Sequence, residues 1–284
     1  CYLMKKIIWI ASYPKSGNTW MRYLLGNYFF NQSKNFDPDV ISYLKKFYLD
    51  YDLIKSNRIN EELKKTPYNI SKYWIQSQEK LKILSGNISF LKTHNALVNI
   101  NNNEFTNHNI SLAIIHIVRD PRDVSISYSK YRNISLNKTI DFMISKNLVY
   151  VQNNNDPTEI EIIGSWAFNY NSWKNGIPTI PRIIVKYEDL IDDCYTVFSK
   201  VIDFLSKYMN FETSYNQIKT SIELSKFENL KKYEKLNSFR ENQGKENFFR
   251  TGRYNNWKHT LNEEQIKKIE DNFNTEMNEL GYLK

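Results

Sequence analysis

The sequence predicts an α/β fold, a three-layer α/β/α arrangement around a central, mostly parallel sheet. Three observations carry this. Short, near-continuous apolar runs stand at 6–12, 112–118 and 182–186, as expected of strands buried on both faces of a parallel sheet. Each run leads into a segment with helical features, so strands and helices alternate. No repeat, low-complexity tract or linker divides the 284 residues, so one domain, 1–284 with a core of about 6–280, is expected.

The elements follow in order. Residues 6–12 form the first strand and 13–18 a turn bearing Pro14 and Gly17. A helix over 19–30 is expected from the spacing of Trp20, Tyr23, Leu24, Leu25 and Tyr28. Residues 37–86 predict short helices with irregular connections, 88–92 a short strand, and 95–110 a polar surface loop. After the second buried strand, Asp120 and Pro121 mark the start of a helix reaching 132. Helices are expected at 138–148 and 160–175, then a third buried strand, then helices at 194–209 and 214–224. Residues 232–256 show no clear period, and 262–280 reads as an amphipathic helix.

A hydrophobic content of 41% excludes wholesale disorder, and 15% aromatics suffice for a core with material left to line an apolar pocket. The net charge of +8, from 39 basic and 31 acidic residues, suits a phosphorylated nucleotide, nucleic acid or acidic membrane as partner. The lysines are spread along the chain, which is also how a plainly solvated surface reads. Cys1 and Cys194 show no metal or redox spacing, pointing to a reducing, cytoplasmic setting. No apolar run approaches the ~20 residues of a membrane span. Ile7 to Ile10 is too short for the core of a signal peptide.

The first strand feeds Tyr13-Pro14-Lys15-Ser16-Gly17-Asn18-Thr19-Trp20. A glycine turn entering a helix presents unpaired N–H groups and a favourable dipole to an anion. Lys15 adds a positive charge there, and Ser16 and Thr19 add hydroxyls. The lysine precedes the glycine, so this is not the Walker A pattern. In the second segment Arg119 stands at a strand end and Ser127 falls two helical turns later, a fork and a hydroxyl able to share one phosphate. A third, basic and aromatic segment runs Phe248-Phe249-Arg250-Thr251-Gly252-Arg253-Tyr254-Asn255-Asn256-Trp257-Lys258.

In this order the segments resemble PAPS-dependent sulfotransferases of the cytosolic type, where PAPS is 3′-phosphoadenylyl sulfate. The first is similar to that family's Y-P-K-S-G-T-T-W loop, with Asn18 where threonine is common. The resemblance implies that Lys15, Ser16, Gly17, Asn18 and Thr19 hold the 5′-phosphate and sulfate, with Trp20 near the adenine. Arg119 and Ser127 match the pair that clasps the 3′-phosphate. The third segment resembles R-K-G-x-x-G-x-W-K, matching at Arg250, Gly252, Trp257 and Lys258. Thr251 replaces the usual lysine, and Asn255 the second glycine. Tyr187 and Phe227 would approach the base, with Ser225 opening the T-x-F-like triplet. The implied fold is the P-loop NTPase-like sulfotransferase fold.

Among the four histidines, His116 lies inside an apolar strand, while His108 and His259 lie in polar surroundings. His94, in Lys92-Thr93-His94, matches the K-T-H that carries the family's general base. A neutral imidazole can take the proton an alcohol loses as its oxygen attacks sulfur. A lysine at the bridging oxygen stabilises the charge on the leaving phosphate. That role goes to Lys15, with Lys92 as a second cation on the acceptor side. The expected reaction is direct in-line transfer from PAPS, leaving PAP, to an acceptor with a hydroxyl or amine, whether small molecule, lipid or glycan. No metal and no nucleic acid partner is expected. The alternatives are a P-loop-type kinase and a non-catalytic nucleotide- or RNA-binding protein. The family's K-x-x-x-T-V-x-x-x-E dimer motif is not matched after Lys258, which leaves oligomeric state open.

Overall fold

The structure, a computed structural model, describes residues 6–81, 88–146, 149–151, 156–237, 239, 248–249 and 252–283. The chain forms two compact units, each assembled from three separated segments. The first comprises Cys1–Tyr13, Lys45–His116 and Ser145–Ile183; the second comprises Pro14–Leu44, Ile117–Ile144 and Ile184–Lys284.

Nine strands are described: β1 (Lys6–Ser12), β2 (Lys45–Lys46), β3 (Ile88–Thr93), β4 (Asn99–Ile100), β5 (Asn103–Glu104), β6 (Ser111–Val118), β7 (Val149–Val151), β8 (Ile160–Ile162) and β9 (Arg182–Lys186). Five make one sheet in the order β2–β3–β1–β6–β9. β3 runs parallel to β1 and to β2. The α/β class with a mostly parallel sheet therefore holds.

Lys46 pairs with Lys92, so a lysine from a distant stretch sits beside the strand that leads to His94. The core of the first unit gathers on Trp9, whose ring lies 5.1 Å from Phe105 and 5.6 Å from Phe47. Its buried Nε1–H donates to Ser111 Oγ at 2.8 Å, so the indole enters the core without an unmet donor.

In the second unit the main helices are Asn18–Phe29, Pro121–Arg132, Cys194–Met209, Tyr215–Leu224, Phe227–Leu236 and Glu263–Glu279. A cluster of Tyr23, Val40, Leu230, Phe239 and Phe249 fills part of its core. Arg122 ties the last helix in. It pairs with Asp120 at 2.7 Å and Glu270 at 2.6 Å, donates to the Tyr282 carbonyl, and lies 3.8 Å from the Trp257 ring centre.

Four local expectations are corrected. The surface loop 95–110 contains the β4–β5 hairpin and the fully buried Phe105. The start of the expected helix 160–175 is instead β8, paired antiparallel with β7; the helix itself is Trp166–Asn175, capped by Ser165. Gly164 makes the break, with φ at 70°. The stretch from 232 begins inside the helix Phe227–Leu236. β9 is not buried throughout, since it is the last strand of the sheet and Ile184 is exposed. Among the described residues no helix is long and apolar enough to cross a membrane.

Candidate active site

In the second unit, the turn before Asn18–Phe29 is bent by two left-handed residues, Lys15 (φ 68°) and Gly17 (φ 100°). Gly17 is the N-cap and makes no side-chain cap bond, and no acidic residue stands in the first turn. The fully buried Ser16 Oγ has no hydrogen-bond partner among the described residues. A buried hydroxyl left so is costly unless a ligand meets it. A Cβ on Gly17 would come within 2.5 Å of the Tyr187 ring, so the turn admits nothing larger. These features fit a phosphosulfate group. The Lys15 ammonium lies 3.9 Å from the Phe248 ring centre and 4.3 Å from that of Tyr131.

Five of the residues singled out from sequence, Arg119, Ser127, Tyr187, Phe227 and Gly252, line one pocket of the second unit. The Arg119 guanidinium lies 4.4 Å over the Tyr187 ring and donates to the carbonyls of Lys15 and Arg253. Its buried Nε–H has no partner among the described residues. Lys130 and Arg253 bring further positive charge to the lining. Tyr187 and Phe227 supply aromatic faces, and Trp20 meets Tyr187 edge-on at 6.1 Å. Gly252 (φ 59°) is pressed against Phe227, where a Cβ would lie 2.8 Å from the ring. Cations grouped with aromatic faces suit a purine nucleotide bearing phosphate.

The segment closing this pocket hangs on Asp123, whose carboxylate accepts the N–H groups of Asn255 (2.6 Å) and Trp257 (3.2 Å). Burial raises the pKa of Asp123, against the opposing pull of Arg119. Thr19 and Asn18 are buried in the first turn of their helix. Ser225 is also fully buried; its Oγ accepts from Asn27 Nδ2 and its carbonyl from Trp20 Nε1. Arg250 and Thr251 lie outside the described residues.

His94 and Lys92 belong to the first unit. His94 Nδ1 lies 2.7 Å from the Ser12 carbonyl, which can only accept, so this nitrogen carries the proton and Nε2 keeps the lone pair. The main chain is held on both sides: its N–H donates to Glu161 Oε1 at 3.1 Å, and Asn169 Nδ2 donates to its carbonyl at 3.0 Å. Burial, then the Lys92 ammonium, pushes the His94 pKa down to about 3. The ring is therefore neutral at physiological pH, more firmly than an ordinary histidine would be.

Lys46, Glu161, Asn169 and Asp123 were not singled out from the sequence. Asp123 lies between Arg119 and Ser127 in the second segment, where its residue type alone does not mark it. Glu161 breaks the apolar run Ile160–Ile163, which was the one signal available for it.

A family model described as "Sulfotransferase domain" matches residues 5–281, and so runs through every segment of both units. The amine sulfotransferase of Oryctolagus cuniculus is 22% identical over 289 residues, 95% of this chain and 80% of its own. The luciferin sulfotransferase of Photinus pyralis is 27% identical over 283 residues, 92% of this chain and 69% of its own. Among solved structures, retinol dehydratase in a complex with retinol and PAP superposes with a TM-score of 0.62 at 18% identity. That match covers 96% of this chain and 82% of the other. A mouse sulfotransferase complexed with PAP gives a TM-score of 0.56 at 15% identity, covering 96% and 84%. These likenesses establish a shared fold.

Proposed function

The chain belongs to the sulfotransferase-domain family, and on that premise we propose that it moves a sulfuryl group from PAPS to a hydroxyl or amine of a small acceptor, releasing PAP. The observation that carries this reading is the convergence of Arg119, Ser127, Tyr187, Phe227 and Gly252 on one pocket. They come from four separate stretches of sequence, and together they meet a phosphate with the Arg119 guanidinium and the Ser127 hydroxyl, and a base with aromatic faces. The family match over residues 5–281 favours this reading over a P-loop-type kinase or an RNA-binding protein. We take residues 1–284 as one sulfotransferase domain made of both units.

PAPS supplies the sulfuryl group, and the S–O bond to its 5′-phosphate breaks as the acceptor oxygen or nitrogen bonds to sulfur. The residues of this chain act around that exchange. The Ser16 hydroxyl and the N–H groups opening the helix Asn18–Phe29 hold the 5′-phosphate and sulfate, with Lys15 balancing charge on the departing oxygen. Arg119 and Ser127 hold the 3′-phosphate, and Trp20, Tyr187 and Phe227 hold the base. Nε2 of His94 takes the acceptor proton, and Lys92 adds positive charge on the acceptor side. With so low a pKa, His94 is a weak base. It takes the proton only as bond formation to sulfur makes the acceptor group acidic. Arg250 and Thr251 keep their proposed place at the 3′-phosphate.

The relatives named for amines and luciferin, and a fold neighbour bound to retinol, support a small acceptor with apolar surface. Relatives from Arabidopsis thaliana named cytosolic sulfotransferases support a cytoplasmic location. The test is incubation with ³⁵S-labelled PAPS and a panel of phenols, alcohols and amines. Label transfer to at least one acceptor, suppressed by added PAP, is expected. No transfer to any acceptor, with no PAP binding, overturns the proposal.

A further inference from the structure

Glu161 stands in the middle of β8, between Ile160 and Ile162, and all three are buried. Its Oε2 lies 3.0 Å from Lys46 Nζ, and the two side chains are 3% and 9% exposed. Its Oε1 accepts the main-chain N–H of His94. The pair thus joins three strands: β2 carries Lys46, β8 carries Glu161, and β3 ends at Thr93, immediately before His94.

An ion pair is a poor way to fill a core, because removing both charges from water consumes most of what their attraction returns. A Leu or Met at either position would fill the space at no such cost. What an apolar residue cannot do is accept an N–H or oppose a field, and both tasks exist here. The groups charged toward His94 are Lys92 on β3, Lys46 on β2 and Glu161 on β8, with Glu159 acting on Lys46 and Glu161 from just before β8. Both lysines weaken the imidazole as a base; Glu161 alone among these opposes them. Burial works against the charge of each partner, yet the attraction wins: the Lys46 pKa rises and the Glu161 pKa falls. Both therefore stay ionised.

We propose that Glu161, fixed by its buried pairing with Lys46, is a positioning residue for His94: one carboxylate oxygen fixes the main chain of the base, and the carboxylate charge offsets the lysines around the imidazole. This rests on the reading of His94 as the base.

Two measurements test it. The first does not involve catalysis: the His94 amide and ring nitrogens are followed by NMR in the wild type, Glu161→Gln and Lys46→Met. Loss of the carboxylate in Glu161→Gln moves the His94 amide proton upfield and leaves the ring neutral to the lowest pH the fold survives. Lys46→Met, which leaves the carboxylate without its cation, raises the ring's titration by about one pH unit or more. Both variants break the same ion pair, so a purely structural role predicts the same change in each. An unmoved amide, or ring shifts in one direction, overturns the proposal.

The second measurement compares Lys46→Met/Glu161→Gln with Lys46→Met/Glu161→Leu, both without the charges and differing in the acceptor for the His94 N–H. With 2-naphthol as probe acceptor, kcat is expected to be about tenfold lower in the Leu double variant, with PAP affinity equal in the two. Equal kcat values overturn the proposal. Should His94→Ala leave turnover of the wild-type background unchanged, the assignment of the base falls instead, and the NMR result still stands on its own.

Discussion

The Nδ1–H of His94 donates to the Ser12 carbonyl at 2.7 Å, in the strand that runs directly into the loop carrying Lys15. This bond fixes the tautomer and leaves Nε2 as the nitrogen that can accept a proton. Replacing His94 by alanine is expected to lower kcat by ~10²-fold or more while leaving PAP affinity unchanged in calorimetry. A variant of near-normal rate would show that another group removes the proton.

Two histidines are held neutral in the fold, and both make it sensitive to acid. Burial, then Arg182, brings the His116 pKa down to about 3, as burial and Lys92 do for His94. In the unfolded chain each protonates near ~6.5. The stability difference is therefore absent above that pH and grows as the pH falls toward 3, because only the unfolded state takes up protons in that window. The His116 ring stacks on Tyr170 at 5.8 Å, so His116→Phe keeps the stacking and removes the titration. In thermal melts at pH 7.5 and 4.5 the variant is expected to lose less Tm than the wild type. An equal loss would assign the acid lability elsewhere.

Gly17 holds a left-handed turn against the Tyr187 ring, and alanine would suffer on both counts. Gly17→Ala is expected to cost about 1–2 kcal/mol of stability from the backbone, read by chemical denaturation. Displacing Tyr187 also disturbs Arg119 above it, so PAP affinity should fall by about tenfold or more. Unchanged PAP affinity would mean that Tyr187 is not part of the nucleotide site.

Asp123 acts on the pocket through the main chain of 255–257. Asp123→Ala leaves two N–H groups without their carboxylate, a loss of about 1.5–3 kcal/mol per charge-assisted bond. Weaker PAP binding is expected in calorimetry, with Asp123→Asn less affected because one oxygen remains. If both variants bind PAP as the wild type does, the segment is held by other contacts.

Much of the donor side was legible because its chemistry is local. Tyr13 to Trp20 announces an anion-binding turn from its residue types, and Arg119 follows a strand whose apolar run is unmistakable. Lys46 was not legible: in its Tyr- and Lys-rich stretch it resembles any surface lysine, and only the register of β2 against β3 buries it. Glu161 lay in a segment read as helical, since three residues of strand are too few for a period of two to assert itself. The helix Phe227–Leu236 was missed for a related reason. Only Leu230 and Glu234 on it are buried, so its apolar stripe is narrow. The division into two units has no mark in composition: of the five places where the chain passes between them, two fall within strands β6 and β9 and the other three at or next to the ends of elements.

Under the proposed function, PAPS is recognised through a pocket in which Arg119 meets the 3′-phosphate. Calorimetric titration of PAP, with adenosine 5′-phosphate as the control lacking that group, tests this most directly. One saturable site is expected for PAP, with affinity at least ~10²-fold above the control, and Arg119→Ala should abolish the preference. No heat with PAP, or equal binding of the two nucleotides by the wild type, would contradict it.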